Sequence, residues 1–283
     1  MVAAARLRRA QARALSARPY SERLAEMIRR LTTDGAHVGH PLLEARPVCR
    51  AALVIVTGDR GLAGSYNANV LRRAEAVLAR LKDGEGRPPA VELYLVGRKG
   101  RDYFRRRGFD PAREDVGVAD DDLAELAKAV SAELVRKFTD AELDEVIVVF
   151  SRFVSVLQQR PEELRLLPVA PPEGGAAQPE KERRERPAPQ VSEADLSYIY
   201  QPEPKVVYSL LLPRLVSNRL FQALLEARAG EYAARMTAMS AATDNAEDMI
   251  ERLTLEMHRA RQTNITREIM ELVGGAEALK QGR

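Results

Sequence analysis

The sequence predicts an α/β fold in which N- and C-terminal helices pair as a long antiparallel coiled coil and enclose an inserted α/β domain. Three observations predict it. No proline follows Pro213 and no glycine lies between Gly230 and Gly274, so little interrupts a helix over the last quarter of the chain. Both chain ends carry apolar residues at alternating steps of four and three, the spacing of a coiled-coil seam. Between them, short apolar runs alternate with helical stretches, as in βαβ units of a mostly parallel sheet.

The N-terminal helix is expected over residues 1–34, with the seam Ala3, Leu7, Ala10, Ala14, Ala17, Ser21, Leu24, Ile28 and Leu31. Pro19 should kink or divide it, because proline lacks the N–H of the helical ladder. Gly35, Gly39 and Pro41 end it. The α/β domain follows over 48–168, with strands at 51–56, 91–96 and 146–150 and helices near 67–81, 98–107 and 120–137. Residues 169–192 are rich in Pro, Glu and Arg, too poor in apolar side chains to pack, and are expected to form a disordered insertion. Its deletion should leave assembly intact, and loss of assembly on deletion would refute that.

The C-terminal helix is expected over 204–279, roughly 100 Å long at 1.5 Å per residue. Its seam runs through Tyr232, Met236, Met239, Thr243, Ala246, Ile250, Leu253 and Met257. Continuing the count lands on Asn264 and Arg267, so the seam fails there and a shifted set, Ile265, Ile269, Leu272, Ala276 and Leu279, takes over. A shaft, tether or assembly element needs such a helix; an ordinary globular enzyme does not.

Composition narrows the function further. Lys+Arg number 44 against Asp+Glu 41, a net charge of +3, so no nucleic-acid partner is required. The single cysteine, Cys49, excludes an internal disulfide and is expected buried at the start of the first strand. No apolar run is long enough to span a bilayer, so membrane association is expected only through a complex. The turn after the first strand holds Gly58, Gly61 and Gly64, but the spacing is not that of a phosphate loop and no Lys-Ser or Lys-Thr closes it. Asp59 would repel a phosphate; Asp59 and Arg60 are expected on an exposed loop, forming charge-assisted bonds with a partner. His37, His40 and His258 lack clustered ligands of metal spacing. No catalytic, cofactor-binding or metal-binding residue is expected, and a nucleotide-binding protein with a dimerisation arm is the weaker alternative.

Two segments carry a resemblance. The stretch from Glu231 through Ala242-Thr243-Asp244-Asn245 to Arg261-Gln262-Thr263-Asn264-Ile265-Thr266 and Gly275 resembles the C-terminal signature of the gamma subunit of F-type ATP synthases. The opening Met1 to Gln11, with Pro19-Tyr20, resembles that family's N-terminal helix, and Asp59-Arg60-Gly61-Leu62-Ala63-Gly64 its turn in a Rossmann-like insertion. The resemblance implies a non-catalytic central rotor of a proton-driven synthase. It transmits torque between the membrane c-ring and a ring of alpha and beta subunits, beside the epsilon subunit, and helps regulate ATPase activity and proton flow. It implies a peripheral position on the cytoplasmic face of a bacterial inner membrane. By position, Arg261, Gln262 and Thr266 match the contact with a catch loop of beta, and Tyr200 and Glu203 the foot on the c-ring. The family's helix usually starts further upstream; Met1 opens this one in mid-seam without a cap, so a start site placed too late is expected.

Overall fold

The computed structural model describes residues 2–33, 40–82, 89–169 and 203–281. The order of elements is α1 (Val2–Thr33), a 3-10 turn η1 (Pro41–Leu43), β1 (Arg50–Val56), α2 (Tyr66–Lys82), β2 (Ala90–Val96), α3 (Arg98–Arg105), β3 (Arg113–Asp115), α4 (Leu123–Thr139), β4 (Glu145–Phe153), β5 (Gln159–Leu167) and α5 (Pro204–Gln281). The chain divides into two units, Met1–Met236 and Thr237–Arg283, each taken by itself below.

The first unit is built on a five-stranded sheet of order β3-β2-β1-β4-β5. Its β1–β2, β1–β4 and β2–β3 pairs are parallel, and β5 closes the edge antiparallel to β4. Strand β1 lies in the middle, and residues 51–56 are buried on both faces, which is why it reads as one unbroken apolar run. Its alternate residues serve different layers. Leu53 and Ile55 meet α2 and α3 through Val70, Ala74, Val77 and Phe104. Ala52, Val54 and Val56 face the larger cluster, where α4 joins Leu24, Ile28 and Leu31 of α1 and Tyr208, Leu212 and Leu215 of α5.

Of the expected α1 seam, Leu7, Ala10, Leu24, Ile28 and Leu31 are packed, and α1 runs antiparallel to α5. Leu7 and Ala10 lie with Ala229, Tyr232 and Ala233, while Leu24, Ile28 and Leu31 share a cluster with Tyr208, Leu212, Leu215 and Val216. Midway, Ser21 Oγ accepts from Asn218 Nδ2 at 2.6 Å and from Gln222 Nε2. At three points the structure departs from these expectations or adds to them. Pro19 does not divide α1, which runs through it as one helix. Cys49 is exposed, because it precedes β1 where the chain crosses the rim of the sheet; its N–H donates to Asp144 Oδ2 at 2.9 Å. Strands β3 and β5 were not expected, being short or charged. The expected insertion at 169–192 lies outside the described residues except for Val169, which is buried beside Leu42 and donates its N–H to the Leu42 carbonyl.

Alkaline pH should loosen this sheet. The Tyr94 hydroxyl donates to Glu133 Oε1 at 2.9 Å, and burial pushes its pKa up from 10.0 to about 12. Lys137, bonded to Glu92 Oε2 at 2.7 Å, is also held above its ordinary pKa, chiefly by that bond. Both groups resist losing a proton only when folded. The Tyr94 contribution is therefore complete below about pH 10 and is lost as pH rises through about 12, whereas that of Lys137 is lost only at still higher pH. Urea titrations across that range should show a falling midpoint, with a shallower fall in Tyr94→Phe.

The second unit is helical from Thr237 to Gln281, and every side chain described from 239 to 275 is exposed. Large apolar residues among them are open, including Met249 at 61%, Ile250 at 64%, Leu253 at 58%, Met270 at 65% and Leu272 at 75%. At 3.6 residues per turn, Met249, Ile250, Leu253 and Met257 share one face, and Ile265, Ile269 and Leu272 share another turned by about 110°.

Candidate functional site

Parallel strands of an open α/β sheet end at a crevice where the strand order reverses, and such sheets ordinarily take ligands there. In this chain the reversal lies between β1 and β4. The end of β1 is tightly bound to its neighbour: Thr57 N donates to Val96 O at 2.8 Å, and Thr57 Oγ1 accepts from Gly100 N at 2.9 Å. Gly97 permits this approach, since at φ 94 a Cβ there would sit 2.1 Å from the Thr57 carbonyl oxygen. Gly58 N then donates to Asn67 Oδ1 at 2.8 Å, folding the glycine loop onto the start of α2.

Helix α5 fills the crevice. A Cβ on Gly58 would lie 2.7 Å from the Glu231 carboxyl carbon, so the absence of a side chain is what admits Glu231. Small residues Ala223, Ala227, Gly230 and Ala233 recur at three- and four-residue steps along α5 and allow the helix to come close. The Tyr66 hydroxyl donates to the Ala227 carbonyl at 2.7 Å, and its own pKa is pushed far up, first by burial and then by the Glu231 carboxylate.

A charge network locks the contact. Arg228 is paired with Glu231 at 3.2 Å, Asp120 at 3.3 Å and Asp59 at 3.7 Å, and it donates to the Val118 carbonyl. Arg235 meets the other oxygen of Glu231 at 2.6 Å and reaches the carbonyls of Gly61 and Arg60 at 3.3 and 3.4 Å. The Tyr232 hydroxyl donates to Asp120 at 2.8 Å. Burial by itself would lower the Arg228 pKa, but the surrounding carboxylates, Glu231 foremost, outweigh it and hold the guanidinium charged. The result is a rigid joint between the α/β layers and the helices. Its chemistry is structural, since each carboxylate is already occupied by a guanidinium or by backbone N–H groups.

The predicted residues divide among these surroundings. Tyr232 is buried and Met236 is packed beside the Leu7 cluster, both on the expected seam. Met239, Thr243, Ala246, Ile250, Leu253 and Met257 are exposed. Arg261, Gln262 and Thr266 are exposed too; Gln262 and Thr266 lie one turn apart on one face, with Arg261 to the side. Glu203 is exposed just before α5, and Tyr200 lies outside the described residues. Arg60 is exposed, whereas Asp59 is not the free hook expected of it. Asp59 turns inward and accepts from Arg98 N at 3.0 Å and Gly117 N at 2.9 Å, because those amides converge on the end of β1. Arg228, Glu231, Arg235 and Asp120 were missed. Their signal was the run of small residues in α5, which marks a close approach.

Histidine chemistry is modest. The His40 Nδ1 accepts from Leu42 N at 3.2 Å as the cap of η1, and burial lowers its pKa. His37 lies outside the described residues, and His258 is exposed. Among the described residues, no helix is long and apolar enough to cross a membrane.

Comparison with known proteins places this architecture. The family described as ATP synthase matches residues 1–279. The ATP synthase gamma chain of Pelotomaculum thermopropionicum is 44% identical over 281 residues, covering 99% of this chain and 91% of its own length. That of Symbiobacterium thermophilum is 44% identical over 282 residues, with the same coverage. Among solved structures, a chain from the central stalk and c-ring of the Tetrahymena thermophila mitochondrial ATP synthase is similar, with a TM-score of 0.60 and 19% identity. That likeness covers 86% of this chain and 96% of that one. A chain of the Euglena gracilis mitochondrial ATP synthase has a TM-score of 0.56 at 17% identity, over 98% and 95%. Those two likenesses speak to the fold; the full-length family match and the 44% identities carry the assignment, and by them this chain belongs to the ATP synthase gamma chain family.

Proposed function

We propose that this protein is the rotor shaft of a proton-driven ATP synthase. It transmits torque from a membrane c-ring to a ring of alpha and beta subunits, whose chemistry it drives without supplying a catalytic residue. The observation that carries the reading is the exposed second unit. A helix with Ile250, Leu253, Met257, Ile269 and Leu272 all more than half exposed has no reason to stand bare in water. A surrounding sleeve formed by other subunits would cover it, and the turn of the apolar face near residue 264 makes that cover asymmetric. Asymmetry of this kind lets a rotating shaft present different surfaces to three similar neighbours in succession.

The joint supports the same reading from the other end. Torque delivered to the α/β layers reaches α5 only if the two do not slip, and the Arg228 network with the Gly58–Glu231 contact resists slipping. Filling of the crevice by α5 argues against the nucleotide-binding alternative. In this reading Glu203 and Tyr200 meet the c-ring, the epsilon subunit sits beside the α/β layers, and Arg261, Gln262 and Thr266 engage a beta catch loop. The protein also helps regulate ATPase activity and proton flow, and works at the cytoplasmic face of a bacterial inner membrane. The variant Arg261→Ala/Gln262→Ala should cut coupled ATP synthesis in membrane vesicles by about tenfold, the effect of roughly 1.4 kcal/mol. An unchanged rate of synthesis would refute the catch-loop assignment.

A further inference from the structure

We propose that the open cleft between α1, the glycine loop and the 117–121 segment binds a small multivalent anion of the oligophosphate class. The cleft measures about 610 Å³, within the range of small-molecule sites. Its lining holds seven arginines against four carboxylates. The net charge of the lining is +3, and every carboxylate in it is committed to another group. Asp59 accepts two backbone N–H groups, Asp120 accepts from Tyr232 and pairs with Arg228, and Glu231 pairs with Arg228 and Arg235. Asp121 pairs with Arg13.

Four guanidiniums remain, those of Arg6, Arg9, Arg60 and Arg98, and none has an acceptor among the described residues. Arg6 and Arg9 are three positions apart on α1 and so project side by side. Arg60 stands on the glycine loop, and Arg98 opens α3. Three separate elements therefore bring unpaired guanidiniums to one concavity. Each guanidinium offers a planar fork matched to two phosphate oxygens. Four forks exceed what a single phosphate can engage and suit a chain of two or three. The floor is fixed beforehand, since Gly117 N–H is held by Asp59 and the Val118 carbonyl by Arg228. Binding would then require ordering only the arginine side chains. This site is independent of the rotor reading and would stand if that reading failed.

The test is isothermal titration of the purified full-length chain with sodium tripolyphosphate at about 0.1 M salt. The expected result is saturable binding of one anion per chain, weakened several-fold when salt is doubled. Both Arg6→Gln/Arg9→Gln and Arg60→Gln/Arg98→Gln should weaken it by about tenfold or more. The control Arg72→Gln/Arg106→Gln, on a separate basic surface, should leave it unchanged, and circular dichroism melts would show that each variant folds. A parallel titration with ATP separates the sources: equal affinity assigns the site to the phosphate chain alone, and tighter binding assigns it to a nucleotide. Three results would overturn the proposal. They are no saturable binding, an equal loss in the control variant, or binding of a glutamate-rich peptide without binding of tripolyphosphate.

Discussion

Arg228→Ala is expected to lower the unfolding free energy by about 3–5 kcal/mol, the usual result of removing one partner from a buried ionic network. The Arg228 side chain is only 14% exposed and Glu231 5%, so solvent screens their pairing little. Loss of the guanidinium leaves Glu231, Asp120 and the Val118 carbonyl short of a donor inside the joint. Arg235 retains one bond to Glu231, which limits the loss but cannot replace contacts to Asp59 and Asp120. Urea unfolding of the full chain would measure it. Double replacement of Arg228 and Glu231 by alanine should cost less than the sum of the single changes, because it removes the stranded charge with its partner. A loss below about 1 kcal/mol for Arg228→Ala would mean the network is a surface feature and the joint is held by apolar packing alone.

The triple variant Ile265→Ser/Ile269→Ser/Leu272→Ser should behave in the opposite way. The three side chains are 46%, 53% and 75% exposed, so in the isolated chain they contribute little to folding. Unfolding of the isolated protein should therefore move only modestly, by about 0.5 kcal/mol at each exposed site. In the assembled enzyme the same change should reduce coupled synthesis by about tenfold or more, because it removes the apolar face that a sleeve would grip. Full synthesis with unchanged stability would show that this face meets nothing.

Much of the fold was legible. The 4-3 spacing picked out Leu7, Ala10, Leu24, Ile28 and Leu31 on the packed side of α1, and continuous apolar runs gave β1, β2 and β4, because strands buried on both faces leave no room for polar alternation. β5 was not legible. Its sequence, Gln159-Arg-Pro-Glu-Glu-Leu-Arg-Leu-Leu, carries a proline and four charges, as sheet edges commonly do, and only pairing with β4 makes it a strand. The joint was hidden for a different reason. Asp59 is captured by amides 39 and 58 residues away, and Arg228 by carboxylates from two loops, so no local pattern announces them. On the helix, Arg228, Glu231 and Arg235 stand at three- and four-residue steps, a charge pattern that a solvated helix face shares. Only the neighbouring Ala227 and Gly230 hinted that something packs there.

Rotation can be observed directly, because the chain offers a natural handle. Cys49 is the sole cysteine and is exposed. Assembled with its host's alpha and beta subunits, cysteine-free and fixed to a surface, the chain can carry a bead on Cys49 while ATP is supplied. The expected result is sustained rotation of the bead in one direction, stopping when ATP is withdrawn. Steady ATP hydrolysis with the bead stationary on an intact complex would contradict it.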